Sequence, residues 1–185
     1  MAKTEGFLCE RVPIFDSLTK KPKDIRKNMR KRFEQQRKLG VISISEVKLP
    51  LKSRDELPPI LRALQHIYVT PELNEKVFRI LEEKVQKGKK KTGRYGMELW
   101  HILVLSVVRL GLDADYDRLD DFANHHKLIR QILGVETTCG EGKRFSRQSI
   151  QDNVSLLDEE TIRQINEVVI SSGHQIEKKK GEGLR

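Results

Sequence analysis

Apolar positions along this chain recur every third or fourth residue rather than every second one, and that rhythm predicts helices. Leu57, Ile60, Leu61, Leu64, Ile67 and Tyr68 make one such stripe. Pro58 and Pro59 are tolerable there only in a first turn, where no intrahelical N–H is needed. Thr70-Pro71-Glu72 restarts a helix with a hydroxyl cap, a proline whose missing N–H is harmless, and an acid near the positive helix end. Leu73, Val77, Ile80, Leu81 and Val85 supply its apolar face, and Gly88 with the following lysines ends it. From Met97 to Leu110 the chain is apolar almost all round, which predicts a central, buried helix stopped by Gly111. Burial of each Leu, Ile or Val there contributes about 1.5–3 kcal/mol before chain entropy is charged against it.

Beyond Gly111 the elements shorten. Leu119, Phe122 and Ala123 mark one helix, and Leu128, Ile129, Ile132 and Leu133 a second, closed by Gly134. Two short helices in tandem resemble a helix–turn–helix. Ser146 caps the next, with Phe145 and Ile150 placed as a hydrophobic staple. Leu157, Asp158 and Ile162 repeat that logic, and Ile165, Val168 and Val169 carry a last amphipathic helix to about Ser172. Val41 to Leu51 alternates apolar and polar residues; with no sheet to join, an extended linker is favoured over an edge strand. The expected fold is therefore all-α: a small helical bundle with helix-turn-helix-like pairs and a basic N-terminal helix or arm. Its expected divisions are arm and linker over 1–52, a helical domain over 53–175, and a tail over 176–185.

Charge sharpens this picture. The 185 residues carry a formal net charge of +9, with 37% hydrophobic and 34% charged side chains, a balance suited to long polar helix faces. Residues 20 to 38 hold ten basic and two acidic side chains, so 10 − 2 = +8 of that charge sits in one segment. Ile25, Met29 and Phe33 would draw a narrow apolar stripe along it as a cationic helix. Such a helix suits a phosphate backbone, where neutralisation releases counterions. An anionic membrane wants a broader apolar face, and a solvated helix without partner is the plainest alternative. The run Lys87, Lys89, Lys90, Lys91 and Arg94 reads equally well as a solubilising loop. The candidate DNA contacts are Arg26, Lys27, Arg30 and Lys31 on the basic helix, and Lys143, Arg144, Arg147 and Gln148 around the capped helix. Arg147 and Gln148 occupy a first turn, where recognition helices touch base edges. The lysines suit phosphate, which carries no sequence information.

Other chemistry fails on spacing. Aspartates 113, 115, 117, 120 and 121 suggest a calcium loop, but its sixth and twelfth positions would hold Arg118 and Asn124 instead of Gly and Glu. They read better as acidic charge at a helix start. His125 and His126 are neighbours and point to different sides of a helix; His101 reads as a core histidine. Cys9 and Cys139 match neither a metal site nor a disulfide framework, so a reducing cytoplasm is the default. Lys3 and Glu5 precede too few apolar residues for a secretory signal, and Leu99 to Val108 is too short for a membrane span. No phosphate loop, nucleophile elbow or triad pattern is present, and no catalytic residue, metal ligand or cofactor is assigned.

The segments MELWHILVLSVVRLGL, DYDRLDDFANHH and IRQILGV, between Met97 and Val135, resemble the N-terminal helical domain of DDE-type insertion-sequence transposases. The resemblance is particularly to the group called ISNCY and its IS-five-like relatives. FSRQSIQDNVSLLDEETIRQINEVV resembles the helix pair that precedes the catalytic domain in that family. The resemblance implies binding of double-stranded DNA at transposon ends, in the nucleoid of a bacterial or archaeal cytoplasm, with a homodimer as one assembly. Cleavage and strand transfer in the family come from three carboxylates holding two divalent metal ions on a ribonuclease-H-like fold. Nothing here matches those carboxylates, and Arg185 falls where that domain would begin, so a truncated chain that cannot cut DNA alone is expected. The competing expectations are a helical interaction or dimerisation module with a solubilising basic arm, and a complete nuclease.

Overall fold

A computed structural model of the chain describes residues 30–33, 35, 41–50, 52–86, 96–137 and 142–182, the side chains of 86 and 173–182 excepted. All regular structure among them is helical. A short 3-10 turn at Ile44–Glu46 precedes α1 (Leu57–Val69), α2 (Pro71–Gln86), α3 (Leu99–Gly111), α4 (Tyr116–His125), α5 (Lys127–Ile132), α6 (Arg147–Val154) and α7 (Glu159–Glu182). Among the described residues no helix is long and apolar enough to cross a membrane. Arg26, Lys27, the 87–94 basic run, Cys9 and Cys139 lie outside the described residues.

α3 is the axis. Leu99, Trp100, Ile102, Leu103, Val104 and Leu105 are wholly buried, and α1, α2, α4 and α6 all pack against the helix. A helix apolar on every side has no face to offer water, so its neighbours must surround it. Its two buried ring N–H groups need acceptors, and both find them at the end of α5. Trp100 Nε1 donates to Ile132 O at 2.8 Å, and His101 Nε2 meets Leu133 O at 3.0 Å. Carbonyls in a last helical turn lack intrahelical donors, so the two demands cancel. Gly134, with φ +66°, turns the chain away immediately afterwards. α4 passes into α5 through His126 alone, and the two helices pack together, as the tandem pattern predicts. α7 lies against α2, and Asp158 at its start pairs with Lys84 of α2.

Four local expectations change. Residues 30–33 are not helical. Each is tied to a different part of the bundle: Lys31 O accepts the Leu99 N–H at 3.1 Å, and Arg32 is bidentate to Glu82 at 2.6 and 2.9 Å and also grips Glu75. Phe33 lies 5.1 Å from the His101 ring. These tertiary contacts override local helix propensity. Residues 41–50, expected as an extended linker, include a 3-10 turn and pack on the bundle, since Ile44 is fully buried and Gln65 donates to Ile44 O and Val47 O. The Thr70 hydroxyl faces His66 Nδ1 at 3.4 Å instead of an amide of α2. Finally, α7 runs past Ser172 to Glu182, through a stretch rich in Gln, Glu and Lys that favours continuation.

The α3–α5 link is open to test. Trp100→Phe removes the indole N–H and leaves Ile132 O without its donor in a dry environment. A loss of about 1–3 kcal/mol is expected from urea denaturation followed by far-UV circular dichroism. An unchanged midpoint would mean that the bond contributes nothing.

Candidate nucleic-acid interface

The candidate corner is the basic turn ahead of α6, and two side chains shape it. Asn124 of α4 holds Phe145 by both backbone groups: its Nδ2 donates to Phe145 O and its Oδ1 accepts from Phe145 N, each at 2.9 Å. Arg130 of α5 is only 6% exposed and faces carbonyls instead of a carboxylate. It donates to Glu136 O at 2.9 Å through Nε, to Ala123 O at 3.2 Å and to Lys143 O at 3.3 Å. Several carbonyl dipoles thereby solvate a cation that burial would otherwise penalise. Burial, then the neighbouring Arg144, lower the Arg130 pKa from its usual value. Gly142 fits beneath this guanidinium, for a Cβ there would stand 2.9 Å from Arg130 Nη2. The turn is thus fixed at both ends of its approach.

α6 begins from that fixed point. Ser146 Oγ accepts the Ser149 N–H at 3.3 Å, while Phe145 and Ile150 are both buried. The helix packs on α3 and α4, leaving Arg147, Gln148, Gln151 and Asp152 exposed.

The structure brings Lys143, Arg144, Arg147 and Gln148 to one corner, each with exposed side chains. Arg147 makes a two-pronged pair with Asp117 of α4, at 2.8 and 3.1 Å. Gln148 Nε2 donates to Asp152 at 2.7 Å. The Lys143 ammonium lies 3.5 Å from Glu98 Oε2 and 3.4 Å from His101 Nδ1. Arg144 has no hydrogen-bond or ion-pair partner among the described residues. Arg30 stands apart from this corner. Its half-buried guanidinium donates to Met97 O at 3.3 Å and to Asn153 Oδ1 on the inner side of α6, so it anchors the arm to the bundle. The Lys31 side chain is exposed and its carbonyl caps α3.

The aspartates serve local structure: Asp115 accepts the Arg118 N–H at 2.8 Å as the α4 cap, Asp117 holds Arg147, and Asp120 accepts from Asn124 at 3.0 Å. Among the described residues no group of three His, Cys, Asp or Glu side chains is placed to hold a metal ion. His101 is fully buried, and burial, then the Lys143 charge, push its pKa down to about 3. With Nε2–H donated to Leu133 O, the bare Nδ1 is an acceptor. The Lys143 ammonium is therefore the donor that Nδ1 shares with Glu98 Oε2, which lies 3.1 Å from that nitrogen. Sequence reasoning missed Arg130 and Asn124, the residues that shape the corner. The signal available was one arginine on the apolar face of LIRQIL.

Arg130→Met should remove a cation that several carbonyls solvate, at a cost of about 1–3 kcal/mol. Amide exchange over residues 142–146 should speed up more than exchange in α3; uniform acceleration would refute a local clamp. The His101 pKa falls from about 6.5 unfolded to about 3 folded. The unfolded chain therefore binds the extra proton in that window. Stability should be complete above pH ~6.5 and decline as pH falls toward 3. Burial also lowers the His126 pKa, which adds to the decline. His101→Gln, which keeps a donor for Leu133 O, should remove most of the slope between pH ~6.5 and ~5 in urea midpoints. In comparisons with known proteins, no family model, no curated protein and no solved structure matches this chain.

Proposed function

We propose that this chain binds duplex DNA through the corner of Lys143, Arg144, Arg147 and Gln148, as the N-terminal helical part of an insertion-sequence transposase. The observation that carries the reading is the bracing of that corner. Arg130 and Asn124 hold the turn by its backbone, which leaves the basic side chains of Arg144 and Arg147 outside. A site that must meet a rigid duplex gains from such pre-organisation, because little is left to order on binding. The α6 N-terminus adds amide N–H groups and positive dipole, which suit a phosphate. Arg147 and Gln148 then reach toward base edges, with Gln151 one turn further along the exposed face.

The acidic partners tune this site. Exposed ion pairs such as Arg147–Asp117 are worth only about 0–1 kcal/mol, so a phosphate or a guanine edge can displace the carboxylate. The +8 segment at residues 20–38 provides non-specific attraction. No bond-breaking role falls to the carboxylates of Asp115 and Asp117, which already cap α4 and hold Arg147. DNA at transposon ends is the substrate class that the helical pattern between Met97 and Val135 suggests.

Fluorescence anisotropy with labelled duplexes over a salt series tests the reading. Affinity should fall steeply as salt rises, and Arg144→Ala should reduce the log–log slope by about 1. Arg147→Ala should relax sequence preference by about 1–3 kcal/mol. Asp117→Asn should instead tighten binding, because it frees Arg147. Affinity that ignores salt would reject DNA binding. It would favour a helical interaction module, for which the exposed Val69, Leu110 and Ile170 offer apolar contacts.

A further inference from the structure

Residues 30–33 meet the basic corner from its inner side, by two routes. Arg30 Nη1 donates to Met97 O at 3.3 Å and to Asn153 Oδ1 on α6. The chain at Gly96 closes over this guanidinium, for a Cβ there would stand 2.9 Å from Arg30 Cζ. Asn153 is only 7% exposed, and its Nδ2 donates back to Ser149 O at 2.6 Å. With that nitrogen spent on α6, the carboxamide turns its oxygen to the arm; the reverse orientation would set two donors face to face. Ser149 is in turn the residue whose N–H the Ser146 cap holds. The second route is aromatic. The Phe33 ring lies 5.1 Å from His101, and His101 lies 5.4 Å from Phe145 in an edge contact. Phe145 is the buried residue just ahead of the α6 cap.

Both routes end beside the first turn of α6, with Arg147 and Gln148 between them. A helix of 8 residues has little stability of its own, so its pose comes from what it leans on. Base-edge contacts depend on side-chain placement within about 0.5 Å. Asn153 is too enclosed to meet a duplex, and the Arg30 nitrogen that bonds it is committed to the bundle. We propose that Arg30, Phe33 and Asn153 are positioning residues for base reading, a role that rests on DNA binding at the corner. The docked arm sets the pose of Arg147 and Gln148 and makes no base contact itself. Arg32, bidentate to Glu82, keeps the segment seated on α2. Arg30 thus serves the site from within, where the charge pattern suggested a phosphate contact.

The test selects short duplexes with randomised centres on the full 185-residue chain and sequences the bound fraction. Anisotropy with the most enriched duplex over a salt series follows. Arg30→Met, which keeps the aliphatic volume, and Asn153→Ala should each flatten the enriched motif and weaken that duplex about tenfold. Neither should change the log–log salt slope, because no phosphate contact is lost. The double variant should be no weaker than the weaker single one, since both remove the same bond. Unchanged amide exchange in α3 would show that the bundle is intact. Should either variant lose the fold, Phe33→Leu puts the same question to the aromatic route, and it too should flatten the motif at constant slope. A slope reduced by about 1 in Arg30→Met, with the motif kept, would make Arg30 a phosphate contact and overturn its positioning role. A motif unchanged by Asn153→Ala would also overturn the scheme. Wild-type binding that falls with salt but enriches nothing would overturn the positioning role and spare DNA binding; wild-type binding that ignores salt would remove the DNA-binding reading itself.

Discussion

A helix with no polar face imposes the constraint from which the architecture follows. α3 buries Leu99 to Leu105 without interruption, so α1, α2, α4 and α6 must enclose it. Its indole and imidazole N–H groups then fix where the end of α5 lies, because Ile132 O and Leu133 O are the acceptors they reach. Once α5 is placed, Arg130 is carried to the carbonyls of Ala123, Glu136 and Lys143, and the turn before α6 takes its shape from them. The exposed basic corner is thus a remote product of burying α3. The dependence runs from apolar packing, through satisfied carbonyls, to a positioned cation.

The sequence made the frame legible where signals were local. Periodic apolar residues located the helices; Ser146 with Phe145 and Ile150 marked the start of α6; Gly134 marked the end of α5. Signals that depend on distant partners were not legible. Residues 30–33 read as helix because Ile25, Met29 and Phe33 share a helical spacing, yet Phe33 takes its place from the His101 and Tyr68 rings. Ile44 and Val47 read as linker for the same reason, since their burial requires α1 to be present already. The corner at Lys143 to Gln148 was visible from composition, but the Arg147–Asp117 ion pair and the Gln148–Asp152 hydrogen bond were not.

Those acidic partners change how the corner should be regarded. Lys143, Arg147 and Gln148 each face an acidic residue, namely Glu98, Asp117 and Asp152. A cation so accompanied attracts polyanions weakly at long range but answers strongly once an acceptor arrives with better geometry. Arg144, the corner's cation with no acid at its side among the described residues, sets the local field. The division separates attraction from discrimination: diffuse charge brings a polyanion near, and paired side chains decide whether it stays.

The docking of residues 30–33 has a mechanical corollary. Tension along the backbone at Lys31 passes straight to the Leu99 amide, at the head of α3, and through Arg32 to Glu75 and Glu82, about two turns apart on α2. Arg30 adds a third attachment on Asn153 of α6. The chain enters the bundle bolted rather than hinged, and a pull on it is shared by three helices before any one of them must yield.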